Sequence, residues 1–204
     1  WQGEYTDMHS ARILMFSRAY HRAGLPGPLG SWNEYTDYVD YLKRSKSIDT
    51  LGEIWWDVRL HPGLDTVEIR AFDAQTDVSR NEALISCAAA GCDMLVREYE
   101  SGDLKPVISN REIEENKWSA QRYGLRGTFV DHETHEPVET RSAIEALISR
   151  LSDMTNRDLS ALHRIIGEPT ESERQLEVWH ATDSVAEVVR EIAQRTRSAT
   201  EARL

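Results

Sequence analysis

The sequence predicts an α+β fold, a small strand cluster flanked by many helices. Three observations lead there. Residues 54–60 and 66–73 alternate apolar and polar side chains with the two-residue period of a strand. Most of the remaining chain spaces its apolar residues as helices do and is punctuated by capping and turn residues. Two or three strands alone make a marginal sheet, so these strands are expected to belong to a larger one whose other strands lie outside this sequence.

In chain order, residues 10–20 read as a short helix that runs into a Gly/Pro loop over 23–30. Ser31 opens a second helix. Ser31 and Glu34 have capping-box spacing, and Trp32, Tyr35, Tyr38, Val39 and Leu42 form its apolar stripe. The two strands follow, with Pro62 and Gly63 supplying the turn between them. A long helix over 79–99 is rich in small residues. Leu84, Cys87, Ala88, Gly91 and Leu95 line the side expected to pack on a sheet or helix. Ser109 and Glu112 open a helix over 110–123, and a short strand over 128–131 is expected to pair with the segment after Pro137. From 142 onward the chain reads as helix, broken near Asn156, at Gly167-Glu168-Pro169 and near Asp183. Thr170 and Glu173 form one more capping pair, and the polar tail from Arg190 is expected to fray. The chain thus reads as a strand-containing part, 1–140, and a helical part, 141–204, of one domain.

Composition narrows the function classes. Of the 204 residues 40% are hydrophobic, with six Trp and seven Tyr, which excludes wholesale disorder. Lys and Arg number 24 against 35 Asp and Glu, a net charge of -11. No basic stripe is visible, which argues against nucleic acid and anionic membranes as partners. The longest apolar stretch, 83–92, is too short to span a bilayer, and no basic-then-apolar signal segment opens the chain. The first residue is Trp, which points to a processed, trimmed or partial chain. Cys87 and Cys92 face different ways on their helix and read as buried free thiols of a reducing, cytoplasmic compartment.

The chemistry-bearing pattern lies on the two strands. Ile54, Trp56, Val58 and Leu60 share one face of the first, and Trp55, Asp57 and Arg59 the other. In the second, Val67, Ile69 and Ala71 oppose Thr66, Glu68, Arg70 and Phe72. Antiparallel pairing with the apolar faces together requires opposed residue numbers to sum to an odd value. One such register sets Arg59 opposite Glu68 and Asp57 opposite Arg70, a salt-bridged lattice. The other sets Asp57 opposite Glu68 and gathers two carboxylates for a hard divalent cation. The sequence permits both. An open, wet face carries such charges as cross-strand pairs, each stabilising by roughly 0.2–1 kcal/mol. Trp55 and Phe72 on the same face favour a walled cavity instead, where carboxylate and arginine suit Mg²⁺ with a phosphate ligand.

These residues resemble the type 2 glutamate–cysteine ligase family, which includes the broader bacterial carboxylate–amine ligases. Carrying the resemblance are Trp55-Trp56-Asp57-Val58-Arg59, His61-Pro62, Thr66-Val67-Glu68-Ile69-Arg70 and the small-residue helix that follows. Trp1-Gln2-Gly3-Glu4, then Ser17-Arg18, Ala23-Gly24 and Gly30-Ser31-Trp32, then Glu115-Asn116-Lys117-Trp118 with Arg122-Tyr123-Gly124-Leu125, agree in order. The likeness covers about residues 1–130 and weakens in the helical tail.

The resemblance implies a glutamine-synthetase-like fold, in which a curved antiparallel sheet forms a funnel for ATP, Mg²⁺ and an amino acid. It also implies a reaction. ATP phosphorylates a carboxylate, such as the γ-carboxylate of glutamate, and an amine such as that of cysteine attacks the acyl phosphate. Glu68 and Asp57 would be metal ligands. Arg70 would stabilise the transferring phosphate, Arg59 would orient substrate, and Asn116, Lys117 and Arg122 would contact nucleotide or substrate. For the helix bearing those last three, a solvated face with Trp118 and Tyr123 packing is the alternative. The family's N-terminal half, with a glutamate-rich strand motif, has no counterpart here. The chain would therefore be the C-terminal half, inactive without the other half, whether that is the same or a separate chain, and part of a homo-oligomer. Two further readings stand beside this one: a non-catalytic partner subunit or pseudoenzyme fragment, and a ligase for another amine or acid.

Other signals are weaker. Asp131-His132-Glu133-Thr134-His135 reads as a polar hairpin, since histidines three apart on a strand point to opposite faces. His61 adjoins the charged strands and reads as a turn residue. No nucleophile elbow and no Gly-rich phosphate loop occurs.

Overall fold

The computed structural model describes residues 6–61 and 64–201, and over them the predicted α+β class is found. The Trp1–Glu4 motif and the Pro62-Gly63 turn lie outside the described residues. Caps set the helix starts. Helix α1 (Ala11–Ala19) leads to α2 (Trp32–Arg44), where Ser31 accepts a hydrogen bond from the Glu34 amide at 3.2 Å. The Glu34 carboxylate turns back onto the Gly30 amide at 2.7 Å. Helix α3 (Val78–Ser101) is capped by Asp77, and Gly102 ends it in the left-handed conformation. Ser109 caps α4 (Asn110–Tyr123) through the Arg111 amide. Four further helices follow: α5 (Thr140–Met154), α6 (Ser160–Gly167), α7 (Glu171–Thr182) and α8 (Val185–Glu201). The breaks fall where Asn156, Gly167-Glu168-Pro169 and Asp183 predict them, and Thr170 with Glu173 closes a capping box.

The strands differ from the expectation in that the run 66–73 is a strand only to Ile69 and the run 54–60 is interrupted. The run 54–60 divides at Asp57 into β2 (Trp55–Trp56) and β3 (Val58–His61). The reason is a long-range one: within the expected Gly/Pro loop, β1 (Ala23–Gly24) bonds parallel to β2. Strand β4 (Thr66–Ile69) pairs antiparallel with β3. Asp57 joins the two ladders, because its amide donates to Gly24 at 2.8 Å and its carbonyl accepts from the Arg70 amide at 2.7 Å. A separate hairpin, β5 (Thr128–Val130) with β6 (Pro137–Glu139), turns through Asp131, whose carboxylate accepts from the Glu133 and Thr134 amides.

Two apolar clusters hold these elements. One packs Ala83, Ala90 and Met94 of α3 against Ile148 and Leu151 of α5 and Leu162 and Ile166 of α6. The other packs Val39 and Leu42 of α2 against Ile48, Ile54 and Trp56, beneath the start of the strands. The buried side of α3 is therefore Arg80, Ala83, Ala90, Met94 and Glu98, and Leu95 of the expected side is exposed. Small residues on several faces of this helix let more than one approach closely, so their spacing did not define the contact. Cys87 is half-buried, and Cys92 is exposed rather than buried as expected. Buried charges tie the strand exit to the helical tail: Arg80 pairs with Glu168 at 2.6 Å, and Glu171 accepts from Thr76 at 2.9 Å and from Arg195 at 3.2 Å. Arg195 thus joins α8, which spans Val185–Glu201, to this cluster. Among the described residues no helix is long and apolar enough to cross a membrane.

Candidate active site

The β3–β4 register decides which charges meet. Arg59 stands opposite Glu68, Val58 opposite Ile69, Leu60 opposite Val67 and His61 opposite Thr66. This is the lattice register, not the one that brings two carboxylates face to face. Arg59 Nε donates to Glu68 Oε2 at 2.9 Å, and Arg70 Nη2 donates to the same oxygen at 3.2 Å. Arg70 Nε is within ion-pair distance of Oε1, 2.9 Å, without the alignment of a hydrogen bond. Arg59 Nη1 also donates to the Leu51 carbonyl. Burial acts to raise the Glu68 carboxyl, but the hydrogen bonds and charges of the two arginines outweigh it and leave its pKa below the ordinary range.

The charged face is the sheltered one. Arg59 is 8% exposed, whereas Val58 and Val67 on the apolar face are 45% and 51% exposed. A buried guanidinium needs hydrogen-bond acceptors, and Glu68 and the Leu51 carbonyl each supply one for Arg59. Part of the apolar face, Val58 and Val67, is thus turned outward, while Leu60 and Ile69 on the same face stay half-buried.

Asp57 and Arg70 open into a cavity of about 270 Å³ that Arg12, Ile13, Phe16, Ser17 and Trp55 complete. Trp55 walls it as expected, packed edge-on against Phe16 and Tyr20. Phe72 does not wall it; its ring is exposed and only its carbonyl takes part, accepting from Arg12 at 3.0 Å. Arg12 also donates to the Asp73 carboxylate at 2.7 Å and to the Arg70 carbonyl at 3.3 Å, so α1 grips the chain from Arg70 to Asp73. Sequence reasoning missed Arg12 and Phe16. Their only signal is that Arg12, Phe16 and Ser17 share a helix face by spacing, which says nothing about what that face meets.

Helix α4 brings one of its three candidates to the site. Lys117 Nζ donates to Asp57 Oδ2 at 2.6 Å and lies 3.4 Å from Glu114. The Lys117 and Asp57 side chains are 16% and 13% exposed. Asn116 instead ties α4 to the small hairpin, donating to the Val130 carbonyl at 2.9 Å and accepting from the Val130 amide at 2.7 Å. Arg122 pairs with Asp7, lies over the Tyr123 ring and lines a different cavity with His9 and Arg126. Trp118 and Tyr123 do pack, edge to face at 5.7 Å. The structure therefore gathers Asp57, Arg59, Glu68, Arg70 and Lys117, and leaves Asn116 and Arg122 apart.

Whether a cation fits can be judged from the donors. Mg²⁺ is held by one or two carboxylates together with phosphate oxygens and water. Among the described residues no group of three or more His, Cys, Asp or Glu is arranged to hold a metal. Glu68 is engaged by Arg59 and Arg70 and Asp57 by Lys117, so these two carboxylates by themselves do not form a cation site here.

Comparison with known proteins places these features. Residues 1–191 match the family described as "Glutamate-cysteine ligase family 2". A Rubrobacter xylanophilus protein named "Putative glutamate--cysteine ligase 2-2" is 62% identical over 199 residues, 98% of this chain and 52% of its own length. A second protein of that organism, "Putative glutamate--cysteine ligase 2-3", is 36% identical over 96% of this chain and 53% of its own length. One from Sorangium cellulosum, "Putative glutamate--cysteine ligase 2", is 33% identical over 96% of this chain and 53% of its length. The chain spans about half the length of these curated relatives.

Proposed function

The chain belongs to glutamate–cysteine ligase family 2, and on that premise we propose that it is part of an ATP-dependent ligase that joins glutamate to cysteine through a γ-glutamyl phosphate. The observation that carries this reading is the sheltered rung of charges, Arg59–Glu68–Arg70, beside the Asp57–Lys117 pair, with Arg70 and Asp57 lining one cavity. Phosphoryl transfer asks for positioning and charge neutralisation more than covalent chemistry. Arg70 is placed to fork onto phosphate oxygens at the cavity wall, and Lys117 can turn from Asp57 to a phosphate within the same space. Arg59 is too enclosed to touch substrate; it positions Glu68. When bound with ATP, Mg²⁺ would be held by Glu68 and Asp57 and would neutralise charge on the phosphates. Asn116 and Arg122, which meet Val130 and Asp7 instead, are given no role in this reading.

The remaining strands of the site are proposed to come from the half of the family's length that this chain does not span. The outward apolar face of the β3–β4 hairpin, Val58 and Val67, supports this, because a two-stranded sheet with an open apolar side is marginal alone. Assembly of this chain with that other half is expected to release ADP and form γ-glutamylcysteine when given ATP, Mg²⁺, glutamate and cysteine. Product with another amine or acid would keep the ligase and change its substrate. Absence of nucleotide binding in the assembled protein would overturn the reading in favour of a non-catalytic subunit.

A further inference from the structure

Residues 7–10 form a strap that leads into α1 and lies against the end of α4 and the start of α7. The Asp7 carboxylate pairs with Arg122, and the Ser10 amide donates to the Gln121 carbonyl at 3.0 Å. His9, between them, reaches two elements at once. Its Nε2 lies 3.1 Å from Arg126 Nη2, in the turn Gly124–Arg126 that follows α4. Its Nδ1 lies 3.0 Å from Ser172 Oγ, in the first turn of α7. Gly124 lets the ring come this close, since a Cβ there would meet His9 Nδ1 at 2.8 Å.

These partners fix the protonation state. A guanidinium only donates, so Nε2 accepts from Arg126 and carries no proton. Nδ1 then carries the hydrogen and donates to Ser172. An imidazolium would offer Arg126 no acceptor and would add a positive charge beside Arg122 and Arg126. Two carboxylates oppose this, Asp7 on the strap and Glu173 on α7. Both are engaged: Asp7 pairs with Arg122, and Glu173 lies 3.5 Å from Arg126 and accepts from the Thr170 amide at 2.8 Å. Burial, with the two arginines adding to it, holds the His9 pKa below its ordinary 6.5. The ring is half-buried and lines a cavity of about 200 Å³, so protons from solvent reach it. Helix α1 carries the effect to the candidate site, because Arg12 holds Asp73 and the Arg70 carbonyl and Phe16 walls the cavity of Asp57 and Arg70. We infer that His9 is a positioning residue: its neutral imidazole latches the strap to α4 and α7, and its protonation releases the strap and loosens the α1 wall of the site. The latch is complete above pH 6.5 and is lost as pH falls through the lowered value. It rests on the strap's own contacts; its effect on turnover rests on the ligase reading.

Hydrogen exchange of the full chain between about pH 7.5 and about pH 5.5, corrected for the intrinsic pH dependence of exchange, tests this. Two amides report: Ser10, bonded to Gln121, and Arg70, bonded to Asp57. Protection of both is expected to fall by about three-fold or more on acidification, and by no more than about ten-fold per pH unit, the slope of one proton. His9→Gln keeps an acceptor and a donor on an uncharged side chain, so both amides are expected to stay protected across the range. His9→Lys, cationic throughout, is expected to expose them even at about pH 7.5. A fall in protection that persists in His9→Gln would overturn the inference, as would protection that does not change with pH in the unaltered chain. Loss at Ser10 without loss at Arg70 would overturn the link between strap and site. None of these outcomes bears on the ligase reading, which ADP release by the assembled protein tests separately.

Discussion

Lys117 and Asp57 face each other at 2.6 Å with little access to water, so each depends on the other. Lys117→Met leaves a nearly buried carboxylate without its cation and is expected to destabilise by about 2–3 kcal/mol. Asp57→Asn in the same chain should restore part of that loss, and urea midpoints of the two single variants and the double variant measure it. Glu68 sets a pH dependence. Its pKa in the fold lies below the ordinary 4.5, so its contribution to stability is full above 4.5 and is lost as pH falls through the lowered value. Glu68→Gln should flatten the acid limb of thermal unfolding below about pH 4.5; an unchanged limb would show that Glu68 is not held by its arginines. At this scale the sequence was readable where chemistry followed a period. Asp57, Arg59, Glu68 and Arg70 share a face because strand side chains alternate. Arg12 was hidden because its partners, Asp73 and the carbonyls of Arg70 and Phe72, are about sixty residues away.

The element that assembles the site is the junction at Asp57, where β1 and the β3–β4 hairpin share one residue's amide and carbonyl. Gly24 makes this possible by holding φ +94, a conformation that L side chains rarely adopt. A Cβ there would meet Lys117 Nζ at 3.8 Å, an ordinary contact, so the cost of Gly24→Ala is backbone strain. It is expected to be about 1–3 kcal/mol. The Asp57 amide, bonded to Gly24, should then exchange with solvent faster, as hydrogen exchange can record. Unaltered exchange would mean that the β1–β2 bridge does not hold the junction. Helix starts were readable at this scale, because Ser31, Asp77, Ser109 and Thr170 cap through local hydrogen bonds. The division of the first strand was not. A parallel bridge of two residues, Ala23–Gly24 on Trp55–Trp56, leaves no period in either segment.

Over the whole molecule, a helical body built on α3, α5 and α6 carries a hairpin whose Arg59 is buried and whose Val58 and Val67 face out. The α+β class was readable in the sequence and the orientation of the hairpin was not. Alternation sorts side chains between two faces, but which face is sheltered depends on elements distant in sequence, here Tyr35 and Leu51 beside Arg59. The family likeness was readable because its motifs lie within the strands and the helices next to them. In the proposed reaction Arg70, held in place by Glu68 and Arg59, neutralises phosphate charge during transfer. ADP release by the assembled protein bearing Glu68→Gln, given ATP, Mg²⁺, glutamate and cysteine, tests it most directly. The account predicts a rate lower by about a hundred-fold or more. Turnover equal to that of the unaltered protein would contradict it.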